Sequence, residues 1–403
     1  MIPALLRCCA LLLALIGTGP AAHAALEDTA PERQIMVMLN MPPAHLRTGS
    51  GYAGGYGEDA SRGARLRAAG RIARAHGLAL VENWPMPSLG IECFIMRVPG
   101  SIPVEQAVSD IEMDPAVAWS EPVALYKGQA GGPANGRNSH DDPLFAAQPG
   151  AKLWPLAALH HSLTGRNVTV AVIDSGVDPK QPDLAGQIAL DRNFVPGANA
   201  AETHGTAVAG IIAARADNHV GIAGIAPDAR ILALRACSQG RAGTLCDSFS
   251  LAKAIQFAVE RKSPIINLSL SGPPGKLLSV LLKQGLDKGA TIVAAYDPQL
   301  PDGGFPASLP GVIAVSDKNA TGRATLVYYA PGQDIPAPAP GGQWTLVNGS
   351  SFSAAHVSGL LALLRQQRRS NAPLVATTSN SSTIDICATF GNATCGGGLA
   401  HAQ

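Results

Sequence analysis

Three residues far apart in the chain are of the types that nucleophilic catalysis requires: Asp174, His204 and Ser351. A serine hydroxyl alone is a poor nucleophile; it needs an imidazole to take its proton and a buried carboxylate to orient that imidazole and steady its charge. Together the three could carry acyl transfer. Taken singly, each also fits a structural role. Gly349-Ser350-Ser351 before an apolar run caps a helix, Asp174-Ser175-Gly176 closes a strand with a turn, and His204-Gly205-Thr206 begins a helix.

The neighbouring sequence says which elements would hold them. Residues 168–173 form a β-branched apolar run ending at Asp174, the pattern of a buried parallel strand that delivers a carboxylate at its C-terminal edge, where ligands of open α/β sheets gather. His204 opens a run of Ala, Val and Ile that predicts a buried helix. Ser351 opens another, residues 352–364. At a helix N-terminus the free N–H groups and partial positive charge would stabilise an oxyanion.

The segments Val170-Ala171-Val172-Ile173-Asp174-Ser175-Gly176, His204-Gly205-Thr206-Ala207-Val208-Ala209-Gly210 and 348–359 resemble the catalytic Asp, His and Ser blocks of the subtilisin-like (S8) serine peptidases, in that family's chain order. The resemblance implies a peptidase acting through an acyl-enzyme: Ser351 as nucleophile, His204 as general base and then acid, Asp174 as its orienter. It extends over nearly all of the second half of the chain, through Asp142-Pro143-Leu144-Phe145, 266–270, Phe305-Pro306-Ala307-Ser308, 312–315 and Tyr329-Ala330-Pro331-Gly332. Predicted strands at 168–174, 230–235, 265–270, 290–295 and 312–316 alternate with helices from His204, at 248–261, at 277–288 and from Ser351. Such alternation predicts an α/β domain over 142–403, with a parallel sheet covered by helices on both faces. No Gly-x-Gly-x-x-Gly follows the first strand, which argues against a dinucleotide-binding oxidoreductase.

Ser269, Leu270, Ser271 and Gly272 match the family segment that pairs with substrate backbone and borders the S1 pocket; read without the family, they are a strand end before a Gly-Pro-Pro turn. The chain departs from the family where an Asn amide usually donates to the oxyanion. Aligning Ala294-Ala295 places Tyr296 at the usual Gly and Asp297 at the usual Asn. An ionised Asp297 would repel the developing charge, so the position helps only if Asp297 is protonated or Gln299 swings in. Smaller departures fall at Ser350, Phe352, Ser353 and Ala355, where the family more often has Thr, Met, Ala and Pro. Asp297 leaves a second function open, a catalytically impaired subtilisin-fold protein that binds peptides or a partner at the same cleft.

Export is the expectation at the N-terminus. Arg7, a short apolar core and Ala22-His23-Ala24 predict a signal peptide over 1–24, hence a secreted or periplasmic protein without a membrane anchor. In an oxidising compartment the cysteines predict two disulfides, Cys237 with Cys246 and Cys387 with Cys395, and leave Cys93 as a small buried residue on a strand. No histidines complete either pair as a zinc site.

Between signal and catalytic blocks, strand, helix, strand, strand, helix, strand are predicted at 34–40, 62–76, 78–81, 91–98, 103–113 and 117–126, with 49–63 as a loop. This β-α-β-β-α-β order is ferredoxin-like. It resembles the inhibitor I9-like propeptide of the family, which implies a zymogen whose residues 25–127 block their own catalytic domain. Residues 128–141 are then the exposed linker where a cut would fall. A net charge of +1 argues against nucleic-acid partners, and peptide or protein substrates plus the chain's own propeptide are the expected ones. No cofactor is expected; the resemblance allows calcium without placing it.

Overall fold

The structure, a computed structural model, describes residues 33–40, 56–128, 141–241, 243–300, 302–318, 326–367, 374–377 and 383–391. The predicted signal peptide, most of the predicted linker and Cys395 lie outside them.

Strand β6 (Thr169–Asp174) shows why the sequence builds a covered sheet. Its Val170 and Val172 enter one apolar cluster and its Ala171 and Ile173 another, so both faces of the strand are buried. A run with no polar alternation therefore needs helices on both sides. Seven parallel strands take the order β15-β14-β13-β11-β6-β8-β7, where β7 is Ile188–Asn193, β8 Arg230–Arg235, β11 Ile265–Leu268, β13 Thr291–Ala295, β14 Ile313–Ser316 and β15 Val327–Tyr329. Helices Thr203–Ala213 and Ser350–Gln366 pack in the first cluster; Ser248–Glu260 and Lys276–Asp287 pack in the second. The chain runs from β6 to β8 on one side and later returns to β11 on the other, so the C-terminal end of β6 is the point where the strand order diverges. That is where a crevice opens in such sheets.

The predicted strands and helices of this region are present, with bounds shifted by a few residues, except that the strand predicted at 265–270 is two: β11, and β12 (Leu270–Ser271), which lies in a second sheet. Strands β7 and β15 were not anticipated. Nor were the hairpins β9 (Cys237–Gly240) with β10 (Gly243–Asp247), and β16 (Ile335–Ala339) with β17 (Gln343–Val347). These elements are short or polar on one side and carry little periodic signal.

The N-terminal unit is a four-stranded antiparallel sheet, β2-β3-β1-β4, from Ala79–Met86, Ile91–Arg97, Gln34–Asn40 and Val117–Pro122. Helices Tyr56–Ala75 and Val104–Ile111 lie on the face formed by Ile35, Val37, Phe94 and Met96. The opposite face, Met36, Met38, Cys93 and Ile95, packs into the same cluster as helices Ser248–Glu260 and Lys276–Asp287. Two expectations are corrected. The first helix begins at Tyr56, inside the stretch read as a loop, because its glycines and tyrosines hide helical continuity. The predicted last strand, 117–126, is two strands: β4, and β5 (Leu125–Gly128), which leaves the N-terminal sheet and joins β10 and β12 (Leu270–Ser271).

Candidate active site

Asp174 ends β6 and is buried, as is His204, the second residue of helix Thr203–Ala213. Their side chains meet: His204 Nδ1 lies 2.6 Å from Asp174 Oδ1, which also accepts the Ser175 N–H at 2.6 Å. Beside a buried carboxylate the neutral ring holds its proton on Nδ1, leaving Nε2 with a lone pair. Nε2 is buried and has no hydrogen-bond partner among the described residues. The helix reaches this close because of Gly205: a Cβ there would lie 2.2 Å from the Ser175 carbonyl oxygen, whereas its N–H donates to Ser175 Oγ at 3.0 Å.

Ser351 is the second residue of helix Ser350–Gln366, directly after Gly349. The next ring along, Phe352, packs against the His204 imidazole with centroids 5.3 Å apart, so the two helix starts face one another. The Ser351 hydroxyl donates to the Ser269 carbonyl oxygen at 2.8 Å, and Ser269 Oγ donates back to the Ser351 carbonyl at 2.9 Å. Behind them Asn267 Nδ2 donates to Ser269 Oγ, and Ser358 Oγ donates to Asn267 Oδ1. This buried network locks the end of β11 to the serine helix, since every member is satisfied. Ser353 now has a role: its hydroxyl donates to the Ala330 carbonyl at 2.8 Å, and Ser350 Oγ to Asp317 Oδ1 at 3.1 Å, tying the first helical turn to the neighbouring loops.

Asp297 follows β13 and is half-buried. Its Oδ1 accepts the Gln299 N–H at 2.9 Å and its own N–H donates to Gly303, a side-chain-closed turn. Gln299 is exposed. Tyr296 is buried with its ring against Gly303.

The predicted peptide-binding edge does pair with an extended backbone, and that backbone is the chain's own. Leu270 and Ser271 of β12 register antiparallel with Gly128 and Lys127. On its other side β5 pairs with β10, Cys246 opposite Tyr126. Tyr126 is fully buried, and its ring lies where a Cβ on Gly272 would stand 2.2 Å away; Phe305 stacks tilted against it at 6.3 Å. Glycine at 272 is what leaves room for an aromatic side chain.

The Cys237–Cys246 disulfide is present and staples the β9–β10 hairpin across its register pair. The second predicted pair includes Cys395, outside the described residues. Cys93 is free and buried, and burial pushes its thiol far above the ordinary range. Among the described residues no group of three or more His, Cys, Asp or Glu side chains gathers to hold a metal ion. The buried carboxylates Asp142 and Asp183 take N–H donors instead, from Asp217 and Asn218 and from Ile222 and Trp344. Also among the described residues, no helix is long and apolar enough to cross a membrane.

Sequence reasoning missed Glu202, Arg235, Gln239 and Ser358, which meet the site only through folding, and left Asn267 as part of a matching segment without a role. An acidic residue two positions before His204 and a basic one ending a strand are common surface patterns; only their burial marks them.

Comparison with known proteins gives the family. The model of the Subtilase family matches residues 165–385, a span that includes Asp174, His204 and Ser351. The thermophilic serine proteinase of Bacillus sp. (strain AK1) is 34% identical over 292 residues, covering 66% of this chain and 68% of that one. Subtilisin E of Bacillus subtilis (strain 168) is 31% identical over 279 residues, covering 64% and 68%. Among solved structures, fervidolysin from Fervidobacterium pennivorans, a keratinolytic enzyme related to subtilisin, superposes with a TM-score of 0.64 at 21% identity, over 92% of this chain. This chain spans 61% of fervidolysin's length, and at that identity the likeness shows the fold. With the family match covering more than half of its length, the chain belongs to the subtilase family of serine peptidases.

Proposed function

We propose that the protein is a secreted serine endopeptidase made as a zymogen, with Ser351, His204 and Asp174 as its catalytic residues. The observation that carries the reading is the buried His204 Nδ1 to Asp174 Oδ1 contact at 2.6 Å, with Nε2 free to take a proton beside the serine helix. On binding substrate, the Ser351 hydroxyl turns from the Ser269 carbonyl to His204 Nε2. One neutral hydrogen bond replaces another, a change of about 1 kcal/mol. Oγ then attacks the peptide carbonyl as Nε2 takes its proton; Asp174 stabilises the imidazolium, and the helix N-terminus faces the oxyanion. The imidazolium protonates the leaving amine, and water, deprotonated by the same ring, releases the acyl group from Ser351.

Residues 25–127 act as the inhibitor of this site. Strand β5 lies between β10 and β12 as an extended peptide would, which supports substrate binding by the same main-chain pairing. Side-chain contacts support docking of the whole unit. Glu121 accepts the Lys276 and Leu277 N–H groups at the start of a helix whose own cap, Gly275, has no side chain, and Trp84 Nε1 donates to Gln256 Oε1 at 2.8 Å. The comparisons lend no support to the silent peptide-binding alternative. A fluorophosphonate probe tests the reading: protein cut within 128–141 and freed of its N-terminal unit should label, and Ser351→Ala should not. Absence of labelling in the wild-type chain so prepared would refute it.

A further inference from the structure

The carboxylate of Glu202 does not cap its own helix, although Glu202 stands at the N-cap of Thr203–Ala213. Its Oε2 accepts the Gly176 N–H at 2.6 Å, two residues beyond Asp174, and Arg235 Nε at 3.0 Å. Its Oε1 accepts Arg235 Nη2 at 2.9 Å and the Gln239 N–H at 2.9 Å. The pair is bidentate, with side chains 11% and 7% exposed. Arg235 ends β8 directly opposite Asp174, and its Nη1 reaches Asn193 at the end of β7 and the Ala198 carbonyl, each at 3.3 Å. In place of the missing cap, Gln239 Oε1 accepts the His204 N–H at 3.0 Å. One ion pair thus ties the ends of three strands to the first turn of the histidine helix. Burial pushes the Glu202 carboxyl up, but Arg235 and the two backbone N–H groups outweigh it and hold the carboxyl below its usual range.

We infer that Glu202 and Arg235 are positioning residues for the peptidase reaction: as a neutralising pair they fix the His204 backbone against the Asp174 loop and cancel each other's field at the imidazole. The inference rests on the proposed peptidase function. A ring held by one 2.6 Å contact has its register set by what holds its backbone, and a small misplacement of a catalytic group costs on the order of 10²-fold in rate. The charged groups bonded into this corner are Asp174, Glu202 and Arg235; Asp178 meets the Thr206 hydroxyl through its backbone N–H, and its carboxylate accepts the Lys180 and Gly341 N–H groups. Removing one member of the pair therefore leaves a known sign beside His204. Glu202→Gln exposes the ring to the Arg235 cation, disfavouring the imidazolium. Arg235→Gln exposes it to the Glu202 anion, favouring it.

The test is the pH profile of kcat/KM for mature enzyme and variants, read with their thermal midpoints. Expected are losses on the order of 10²-fold in kcat/KM for each single variant, with the acid limb moving to lower pH in Glu202→Gln and to higher pH in Arg235→Gln. The double variant should return the limb toward its original position. Limbs that stay put, or move the same way in both, overturn the inference, since a structural role alone predicts no opposition of sign. Where a single variant fails to fold, Gln239→Ala on the exposed hairpin reads the same anchor: kcat should fall several-fold with the midpoint unchanged, and an unchanged kcat refutes the clamp. Wild-type enzyme that fails to label with fluorophosphonate refutes the peptidase reading itself, a result distinct from either of these.

Discussion

The family alignment implies that residue 297 faces the oxyanion, and on that reading its carboxylate stands where a neutral amide would serve a developing negative charge better. Its Oδ1 already accepts the Gln299 N–H, a bond that an asparagine oxygen would keep while turning its N–H₂ outward. Asp297→Asn is therefore expected to raise kcat near neutral pH, by up to about 10²–10³, the contribution of one oxyanion donor. Steady-state kinetics across pH decide the matter, and a rate that stays the same or falls would mean that residue 297 does not face the oxyanion. Ser351 and Ser269 teach a different lesson. Their reciprocal hydrogen bonds, backed by Asn267 and Ser358, hold the Ser351 hydroxyl at the Ser269 carbonyl.

On the proposed zymogen reading, strand β5 is the element that controls access to the site. It is short, yet it bridges two separate edges, and its Tyr126 side chain is fully buried. Tyr126→Ala in the full chain empties the hole beside Gly272 and Phe305. Large aromatic truncations in packed sites cost about 3–5 kcal/mol, so the segment should leave the cleft more readily and peptidase activity measured before any cut in 128–141 should rise. Activity equal to that of the unaltered full chain would count against β5 as the occluding strand. The β9–β10 hairpin contributes on the opposite edge: β10 pairs with β5, and Gln239 of β9 holds the His204 N–H, so the disulfide-stapled hairpin joins the peptide edge to the histidine helix.

Over the whole molecule, two units share one apolar interior. The N-terminal sheet turns Met36, Met38, Cys93 and Ile95 toward helices Ser248–Glu260 and Lys276–Asp287, which explains why β1 reads as an unbroken apolar run rather than an alternating one. Cys93 reports on that contact. Its thiol is wholly buried in the joined chain, so alkylation by a maleimide should be slow in the precursor and fast once the N-terminal unit is cut and released. Equal rates before and after release would argue that the sheet face is not covered by the catalytic domain.

The chain's own residues determined the parallel α/β architecture, because predominantly apolar runs such as 168–173 and 352–364 are stable only when buried within layers. They also carried the family resemblance that singles out Asp174, His204 and Ser351, and they predicted the Cys237–Cys246 pair that the fold contains. Tertiary structure decided what local patterning cannot encode. It showed that 117–126 divides so that its second half crosses to another sheet, that the helix from Tyr56 swallows a supposed loop, and that Ser353 answers Ala330. It alone brought Glu202, Arg235 and Gln239 around the histidine. Periodicity records which faces are buried, but the partner of a buried charge is chosen by strands distant in sequence, and that choice exists only once the sheet has formed.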